Sequence, residues 1–310
     1  MRRLDIIIPV FNSEKTIGTL LLSILSEKKL ANYELGIILV NDGSEDESLK
    51  VCESLAASYS QIMVIDLMRN YGQHSAIFAG ISHSTAELVV TMDDDGQHLP
   101  SSISSLLDAL TPDVDVVYGI AEKDEHTWSR NLGSRFFKGL VFRGLGIKNS
   151  SKTSAFRVIR AKVFNGIEFT GLSSGILEVA INWNTSRIKS IEVPMNIRKI
   201  GKSNYSYYKL LKFAVAMLTS YSTRPLRFAT LLGILGFMFS LFLTGYYMFF
   251  ALSGGVKVEG FSTLVILISL LGSVQLITLG IIGEYLSKVH EKNIGKPVFV
   301  VRNVKNSRGN

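Results

Sequence analysis

The stretch from Glu87 to Pro100, ELVVTMDDDGQHLP, runs from a short apolar segment directly into three consecutive aspartates. Adjacent carboxylates raise one another's pKa unless a cation or several hydrogen-bond donors neutralise them. The apolar segment has the length of a buried strand, so the acids are expected at the point where that strand ends. The stretch therefore predicts a metal site at one edge of a sheet.

Similar apolar runs of strand length occur on both sides of this stretch. Together they cover residues 4–10, 34–40, 61–67, 87–92 and 113–119. Helical patterns separate them, at Glu14 to Lys28, Asp46 to Tyr59, Gln73 to Ser82 and Ser101 to Leu110. Apolar strands that alternate with helices predict an α/β fold with a mostly parallel sheet covered on both faces.

Polar loops follow the first four predicted strands, with the sequences FNSEKT, NDGSEDES, MRNYGQHS and DDDGQHLP. Ligands of such sheets bind at the carboxyl ends of the strands, where these loops lie. The sequence has neither a G-x-G-x-x-G after the first strand nor a G-x-x-x-x-G-K-[ST]. The dinucleotide-binding and P-loop interpretations therefore lose their strongest support.

The composition of the 310-residue chain points to lipid and to an anionic partner. It is 47% hydrophobic with a formal charge of +7, and its mean hydropathy is +0.27. This is too apolar for an ordinary soluble enzyme, and the charge fits nucleic acid, phospholipid head groups or a phosphorylated substrate. The single cysteine, Cys52, excludes an internal disulfide, and we expect it to be a small core residue.

Two long uncharged runs near the C-terminus, Phe228 to Leu252 and Phe261 to Gly283, are each long enough to span a bilayer as a helix. The flanking cations favour a cytoplasmic position for both ends of this hairpin and an external position for its loop. These cations are Arg224, Arg227, Lys288, His290 and Lys292. We therefore expect a protein of the cytoplasmic membrane with two spans and with both termini in the cytoplasm.

Several motifs, in order, resemble those of family 2 glycosyltransferases with the Rossmann-like GT-A fold. They are IIIPVFNSEKTI, ILVNDGSEDES, RNYGQHSAIFAG and MDDDGQH. SRNLGSRFF, FRVIR, IRKIGKSNYS, STRPLRFATLLG and GEYLSKVHEKNIGKPVFVV extend the resemblance to the polyprenyl-phosphate branch, which includes dolichol-phosphate mannose synthases and undecaprenyl-phosphate glucosyltransferases. The resemblance covers nearly the whole chain and is carried by the ordered set of motifs.

The resemblance implies a donor site for a nucleotide sugar, with a UDP-hexose favoured. The base-contacting Asp of such enzymes corresponds to Asp42, and the D-x-D element that binds metal and diphosphate corresponds to Asp93 and Asp95. Mg²⁺ or Mn²⁺ is the implied cofactor, and Asp95 is also a candidate catalytic residue. Further implied donor positions are Pro9, Phe11, Glu14, Gln97, Arg198 and Ser203.

The acidic turn holds other side chains that could be taken for metal ligands. We expect Asp94, the middle acid, to be a solvated or locally capping carboxylate, since the pattern requires no acid there. Histidines in polar loops are usually solvated, and a cation bound by oxygen does not need them. We therefore interpret His74, His98 and His126 as solvated residues.

The acceptor, a polyprenyl phosphate, requires positive groups. Arg130, Ser134 and Arg135 match the basic helix of the family and are the candidates for its phosphate, with an exposed basic face as the alternative. Arg157 and Arg198 resemble the later arginines of the family, which approach the two phosphates. Arg157 and Arg130 of the basic helix are the further catalytic candidates. Many relatives have an Asp immediately before the Phe-Arg pair, whereas this chain has Ala155.

The resemblance implies inverting transfer of one sugar to undecaprenyl phosphate at the cytoplasmic membrane face. We expect a GT-A domain over residues 1–203, interfacial helices over 204–227, the hairpin over 228–287 and a tail with a short strand over 288–310. A second copy of the chain, a lipid-sugar flippase and a downstream glycosyltransferase are the candidate protein partners. The alternatives are a non-catalytic scaffold, favoured only by Ala155, and a polysaccharide synthase, whose Q-x-x-R-W signature surrounds neither Trp128 nor Trp183.

Overall fold

The computed structural model describes residues 1–121, 153–165, 177–196, 224–253, 260–295 and 297–306. These residues fall into two compact units. The first unit contains the sheet with its covering helices and includes the C-terminal segment from Gly295 onward. The second unit contains two long helices.

Strands and helices alternate through the first part of the chain, as the apolar runs predicted. In order they are β1 Arg3–Val10, α1 Ile17–Leu25, β2 Glu34–Asn41, α2 Ser48–Ser58, β3 Ile62–Leu67, α3 Gln73–His83, β4 Leu88–Thr91, α4 Ser102–Asp108 and β5 Val116–Ala121. Helix α1 starts later than predicted because the backbone amides of Thr16 and Ile17 first form a turn on the Ser13 carbonyl. A separate 3₁₀ helix, Lys28–Asn32, follows it.

The remaining elements of the first unit are β6 Arg157–Arg160, a 3₁₀ helix Ala161–Phe164, α5 Leu177–Asn184, β7 Ile188–Val193 and β8 Val301–Asn306. The eight strands form one sheet in the order β7-β5-β6-β4-β1-β2-β3-β8. The central strands β4, β1, β2 and β3 are parallel to one another, whereas β6 and β8 run antiparallel to their neighbours. The mostly parallel α/β sheet is therefore confirmed.

The hydrophobic core lies on both faces of this sheet. Successive side chains of a strand point to opposite faces. Ile6 and Ile8 of β1 belong to the cluster that includes residues of α1, α2 and α4, and Ile7 belongs to the cluster that includes residues of α3 and α5. Burial on both faces explains why the strands read as continuous apolar runs rather than as alternating ones.

The second unit consists of α6, Arg224–Leu252, and α7, Phe261–Asn293. Helix α6 ends and α7 begins where the two uncharged runs do, whereas α6 begins four residues before Phe228 and α7 continues ten residues beyond Gly283. Large apolar side chains stand exposed on both helices, among them Leu235, Phe242, Leu276 and Leu279. Over the side chains described, none of the helices combines the length and the apolarity required to cross a membrane.

Cys52 lies in the core on α2 and has no exposed surface, as expected from the sequence. Burial, reinforced by nearby carboxylates, raises the pKa of its thiol to about 12. Because the thiolate is the reactive form, iodoacetamide at about pH 8 should leave the native chain unmodified and alkylate the unfolded chain fully. Mass spectrometry checks this directly, since no second cysteine is present. Rapid alkylation of the native chain would contradict the buried position.

Gly80 allows α3 to lie close to the sheet. A Cβ atom at this position would lie 2.4 Å from Cγ2 of Ile7 and 3.3 Å from Cγ2 of Val40. These methyl groups belong to stiff β-branched side chains, so Gly80→Ala should lower the free energy of unfolding by about 1–3 kcal/mol. Denaturant unfolding of the purified chain measures this change.

Gly18→Ala is the matched control, because Gly18 lies in α1 with no neighbouring atom within 4 Å of the added Cβ. It should leave the free energy of unfolding unchanged or raise it by up to about 1 kcal/mol, since alanine favours the helix. Equal stability of the two alanine variants would show that α3 does not depend on this close approach.

Candidate active site

The loops that follow β1, β2, β3 and β4 lie at one edge of the sheet. These four strands are parallel neighbours, so their carboxyl ends point in the same direction. The loops are tied to one another mainly by side-chain carboxylates that accept hydrogen bonds from backbone amides. Two aspartates, Asp42 and Asp94, carry the principal contacts.

Asp94 connects the acidic turn to the loop after β1. Its Oδ2 atom accepts a hydrogen bond from the backbone N–H of Phe11 at 3.1 Å and another from the Ser13 hydroxyl. Desolvation raises the pKa of Asp94, although both hydrogen bonds favour the carboxylate. The expectation of a solvated or locally capping carboxylate is therefore wrong, because Asp94 accepts from a loop that lies 81 to 83 residues away in sequence.

Asp42 connects the loop after β2 to the loop after β3. Its Oδ1 and Oδ2 atoms accept hydrogen bonds from the backbone N–H groups of Tyr71 and Gly72 at 2.7 and 2.8 Å. Burial raises the pKa of Asp42 against the effect of these two bonds. An ionised carboxylate can accept about four hydrogen bonds. The predicted contact with a nucleoside base thus stays a prediction, and the structure adds a bond to the β3 loop.

The residue after Asp42 allows the same two loops to approach closely. Gly43 has a φ of +67°, and a Cβ atom there would lie 2.6 Å from the backbone of Arg69 and Asn70. A side chain would therefore both strain the backbone and collide with the β3 loop. The Asp-Gly pair in NDGS is required by this contact between loops.

The loop after β1 is also fixed to the loop after β2. Asn12 has a φ of +53°, its N–H donates to Ser44 Oγ at 3.1 Å, and its Oδ1 accepts from the Glu45 N–H at 2.9 Å. The carboxylate of Glu14 accepts from the Glu47 N–H at 3.2 Å. Glu14, a predicted donor-site residue, therefore holds the neighbouring loop in this structure.

The two predicted metal ligands lie on the turn after β4 and are partly exposed. Asp93 accepts a hydrogen bond from the side-chain amide of Gln73, at the start of α3, and Asp95 Oδ1 accepts one from the Gln97 N–H at 3.0 Å. Within the described ranges, no group of three or more His, Cys, Asp or Glu side chains is arranged to hold a metal ion. Two carboxylates with oxygen donors nonetheless suit Mg²⁺ or Mn²⁺, which complete their coordination with water and substrate phosphates.

The solvated interpretation of His98 is wrong. The His98 side chain is buried, and its ring stacks on Phe156 with 4.9 Å between centroids. Its Nδ1 atom accepts a hydrogen bond from the Asp93 backbone N–H at 3.2 Å. Desolvation lowers the pKa of His98 to about 4, so the ring is neutral and remains an acceptor. His98 thus holds the backbone of the acidic turn.

His74 is also more constrained than a solvated loop residue. It lies on the first turn of α3, with Nδ1 3.8 Å from Oε2 of Glu178. Desolvation lowers its pKa, and the Glu178 carboxylate opposes that change. His126 lies outside the described residues.

Arg157 occupies a fully buried position beneath the acidic turn. Its Nη1 atom donates to Glu178 Oε1 at 2.9 Å and its Nε donates to Thr91 Oγ1 at 3.0 Å. Thr91 in turn donates its hydroxyl to the Ala155 carbonyl at 2.7 Å. Burial disfavours ionised Glu178, but the Arg157 guanidinium, His74 and the hydrogen bonds to the carboxylate together outweigh burial, so the pKa of this carboxyl is lowered. The predicted approach of Arg157 to the phosphates stays a prediction, whereas the contacts shown hold the end of β4.

The other predicted site residues divide between the described and the remaining parts of the chain. Pro9 is buried in β1, Phe11 is 45% exposed, and Gln97 is partly exposed beside Asp95. The remaining predicted residues lie outside the described ranges; they are Arg130, Ser134, Arg135, Arg198 and Ser203. Most of the donor candidates are therefore described, whereas Arg198, Ser203 and all the acceptor candidates are not.

Sequence reasoning missed the roles of His98 and Glu178. His98 lies five residues after Asp93, whose backbone N–H donates to its ring, and the loop between them is polar. Its neighbours Leu99 and Pro100 gave a weak signal that the end of this loop is not fully solvated. Glu178 is an acid within the apolar run of α5, and an acid in such a run indicates a buried partner.

Comparison with known proteins agrees with this geometry. The model of the family "Glycosyl transferase family 2" matches residues 5–167. An uncharacterized glycosyltransferase of Synechocystis is 33% identical over 302 residues, which cover 96% of this chain and 94% of that protein. An undecaprenyl-phosphate 4-deoxy-4-formamido-L-arabinose transferase of Sodalis glossinidius is 32% identical over 307 residues, with 97% and 93% coverage.

Among solved structures, glucosyl-3-phosphoglycerate synthase from Mycobacterium tuberculosis, in complex with Mn²⁺, UDP-glucose and phosphoglyceric acid, is similar with a TM-score of 0.51. The identity is 17%, and the similarity covers 71% of this chain and 79% of that one. This likeness shows a shared fold. The family match over residues 5–167 and the 33% identity to the Synechocystis protein establish that the chain belongs to glycosyl transferase family 2.

Proposed function

We propose that this glycosyltransferase transfers one sugar from a nucleotide sugar, with a UDP-hexose favoured, to the phosphate of a polyprenyl phosphate such as undecaprenyl phosphate. The near full-length similarity to transferases named for undecaprenyl phosphate supports the acceptor. We place the reaction at the cytoplasmic face of the membrane.

One observation carries the proposal: the acidic turn lies beside the loops after β1 and β3. Asp94 contacts the loop after β1, and Asp93 contacts Gln73 at the start of α3. A nucleoside placed over the β1 and β2 loops would therefore direct its diphosphate toward Asp93 and Asp95. The partial exposure of these two carboxylates leaves them accessible to such a ligand.

Asp93 and Asp95 are proposed to hold Mg²⁺ or Mn²⁺ with the donor diphosphate. When bound, such a cation neutralises the negative charge that develops on the departing nucleotide diphosphate. His98 fixes the backbone of the turn through the Asp93 amide, and Asp94 fixes its middle through Phe11. These contacts keep the two carboxylates in place without reorganisation during the reaction.

The acceptor phosphate needs little help from a general base. Its second pKa is about 6, so it is mostly a dianion at about pH 7 and is already a nucleophile. Ala155 in place of an acid is compatible with this chemistry. An oxygen of the phosphate forms the new bond to the sugar carbon as the bond to the nucleotide diphosphate breaks, so an α-linked donor gives a β-linked product.

Helices α6 and α7 are proposed to form a two-span membrane hairpin. Their exposed leucines and phenylalanines would be covered by lipid, which removes a large apolar surface from water. The basic residues near the hairpin ends favour cytoplasmic termini.

The proposed protein partners follow from the lipid-linked product. If this product is moved across the membrane and consumed there, a flippase and a downstream glycosyltransferase are the expected partners. A second copy of the chain is a further candidate.

Asp95→Ala should reduce transfer at least about 100-fold, because it removes a proposed ligand of the cation that neutralises the leaving group. The assay follows radiolabel from a panel of UDP- and GDP-sugars into undecaprenyl phosphate with Mn²⁺ or Mg²⁺. Asp108→Ala, which removes an exposed carboxylate from α4, is the control and should keep full activity. Retention of metal-dependent transfer by Asp95→Ala would contradict the assignment, and nucleotide-sugar binding without transfer would favour a scaffold.

The hairpin can be tested by cysteine labelling, because Cys52 is buried and gives no background. Ser253→Cys, just after α6, should react with a membrane-impermeant maleimide added outside spheroplasts. Asn293→Cys, at the end of α7, is the matched control and should react only after the membrane is opened. Equal labelling of both positions in intact spheroplasts would contradict the two-span arrangement.

A further inference from the structure

We propose that Arg302, on the C-terminal strand β8, is a positioning residue for the donor site. The inference rests on the proposed function, which supplies the donor. In this proposal the C-terminal strand helps to position the loop after β3, whose Tyr71 and Gly72 amides bind Asp42. A chain of contacts links β8 to that loop.

Strand β8 completes the sheet beside the β3 loop. It pairs antiparallel to β3, with Asn303 opposite Asp66 and Val301 opposite Leu67. The ladder continues beyond the strand, since the Met68 N–H donates to the Val300 carbonyl at 2.9 Å. The backbone at the start of the β3 loop is therefore held by a segment that is more than 200 residues away in sequence.

Arg302 contacts β3 and the loop at the same time. Its Nη2 atom donates to the Met68 carbonyl at 2.8 Å, and its Nη1 atom lies 3.3 Å from Oδ2 of Asp66. The Asp66 side chain is only 8% exposed, whereas that of Arg302 is 54% exposed. A buried carboxylate requires a charge partner or several hydrogen bonds, and the guanidinium supplies the charge partner.

The contacts continue from Asp66 to the donor site. Oδ1 of Asp66 accepts a hydrogen bond from the Asn41 side-chain amide at 2.7 Å. Asn41 is the last residue of β2 and directly precedes Asp42, whose carboxylate holds the Tyr71 and Gly72 amides. Arg302 is thus linked to both partners of the contact between Asp42 and the 68–72 loop. It reaches Asp42 through Asp66 and Asn41, and it reaches the loop through the Met68 carbonyl.

Loss of the guanidinium should loosen the 68–72 loop and leave the chemical step intact. A buried carboxylate would lose its cation, and the Met68 carbonyl would lose its donor. The acidic turn has its own supports in His98 and Asp94, which accept hydrogen bonds from Asp93, Phe11 and Ser13. The expected signature of Arg302→Ala is therefore a donor KM raised about tenfold, with kcat and the acceptor KM nearly unchanged.

The test compares Arg302→Ala, Arg302→Lys and Lys305→Ala in the purified full-length chain. Lys305 lies on the same strand, but its Nζ atom is 3.5 Å from a carboxylate oxygen of Glu53 on α2, so its removal is the matched control. Arg302→Lys keeps the charge near Asp66 but cannot make both contacts as the guanidinium does, and should restore part of the donor affinity. Donor and acceptor KM are measured with the nucleotide sugar that labels lipid best.

Hydrogen exchange without nucleotide provides a second readout. Arg302→Ala should speed exchange in the peptide over residues 68–73, while the peptide over β1 and all peptides of Lys305→Ala stay as in the parent. Unchanged exchange over 68–73, or faster exchange throughout the sheet, would overturn the proposal, the latter because Arg302 would then be only structural. Absence of transfer by the parent chain would overturn the proposed function, and the exchange comparison would still decide whether Arg302 holds this loop.

Discussion

Hydrogen bonds from backbone amides to two inward-turned carboxylates hold the site together. The loops after β1 to β4 have little regular structure of their own, so their relative positions depend on contacts between them. Asp42 binds the Tyr71 and Gly72 amides, and Asp94 binds Phe11 and Ser13. Desolvation raises the pKa of both carboxylates, because removal from water opposes their ionised form. The hydrogen bonds that they accept offset part of this effect. These two acids serve the loops, whereas Asp93 and Asp95 are partly exposed on the same turn and accept from the Gln73 side chain and the Gln97 N–H.

A second layer of buried polar groups supports the acidic turn from below. Arg157 joins Thr91 at the end of β4 to Glu178 on α5, and the His98 ring rests on Phe156 while accepting from the Asp93 amide. A buried ion pair contributes little net stability, yet breaking it leaves an uncompensated charge. This pair therefore fixes the position of the strand end more than it stabilises the fold. The site consequently combines two partly exposed carboxylates, Asp93 and Asp95, with a rigid layer of buried polar groups below them. Electrostatic stabilisation of a leaving group requires such fixed charges.

The sequence was sufficient for the regular part of the fold and insufficient for the long-range polar contacts. Continuous apolar runs predicted β1 to β5, because strands buried on both faces lack polar alternation. The place of the three acids after β4 followed from the apolar run before them. The contacts of Asp94 with Phe11 and Ser13 did not, because these residues lie 83 and 81 positions away in sequence. The role of His98 did not, because its burial depends on Phe156, and the Arg157 to Glu178 pair joins elements 21 residues apart. The contact between Arg302 and Met68 spans 234 residues, and no local pattern can indicate such a pairing.

The central step of the proposed reaction is direct attack by the lipid phosphate on the sugar, without a protein base and without a covalent sugar intermediate. The anomeric configuration of the lipid-linked product tests this most directly. The product formed from an α-linked nucleotide sugar can be purified and its anomeric centre determined by NMR of the sugar and the attached phosphorus. The account predicts a β-linked sugar phosphate, because one displacement inverts the carbon. An α-linked product would contradict it, since retention requires either a second displacement or a different mechanism.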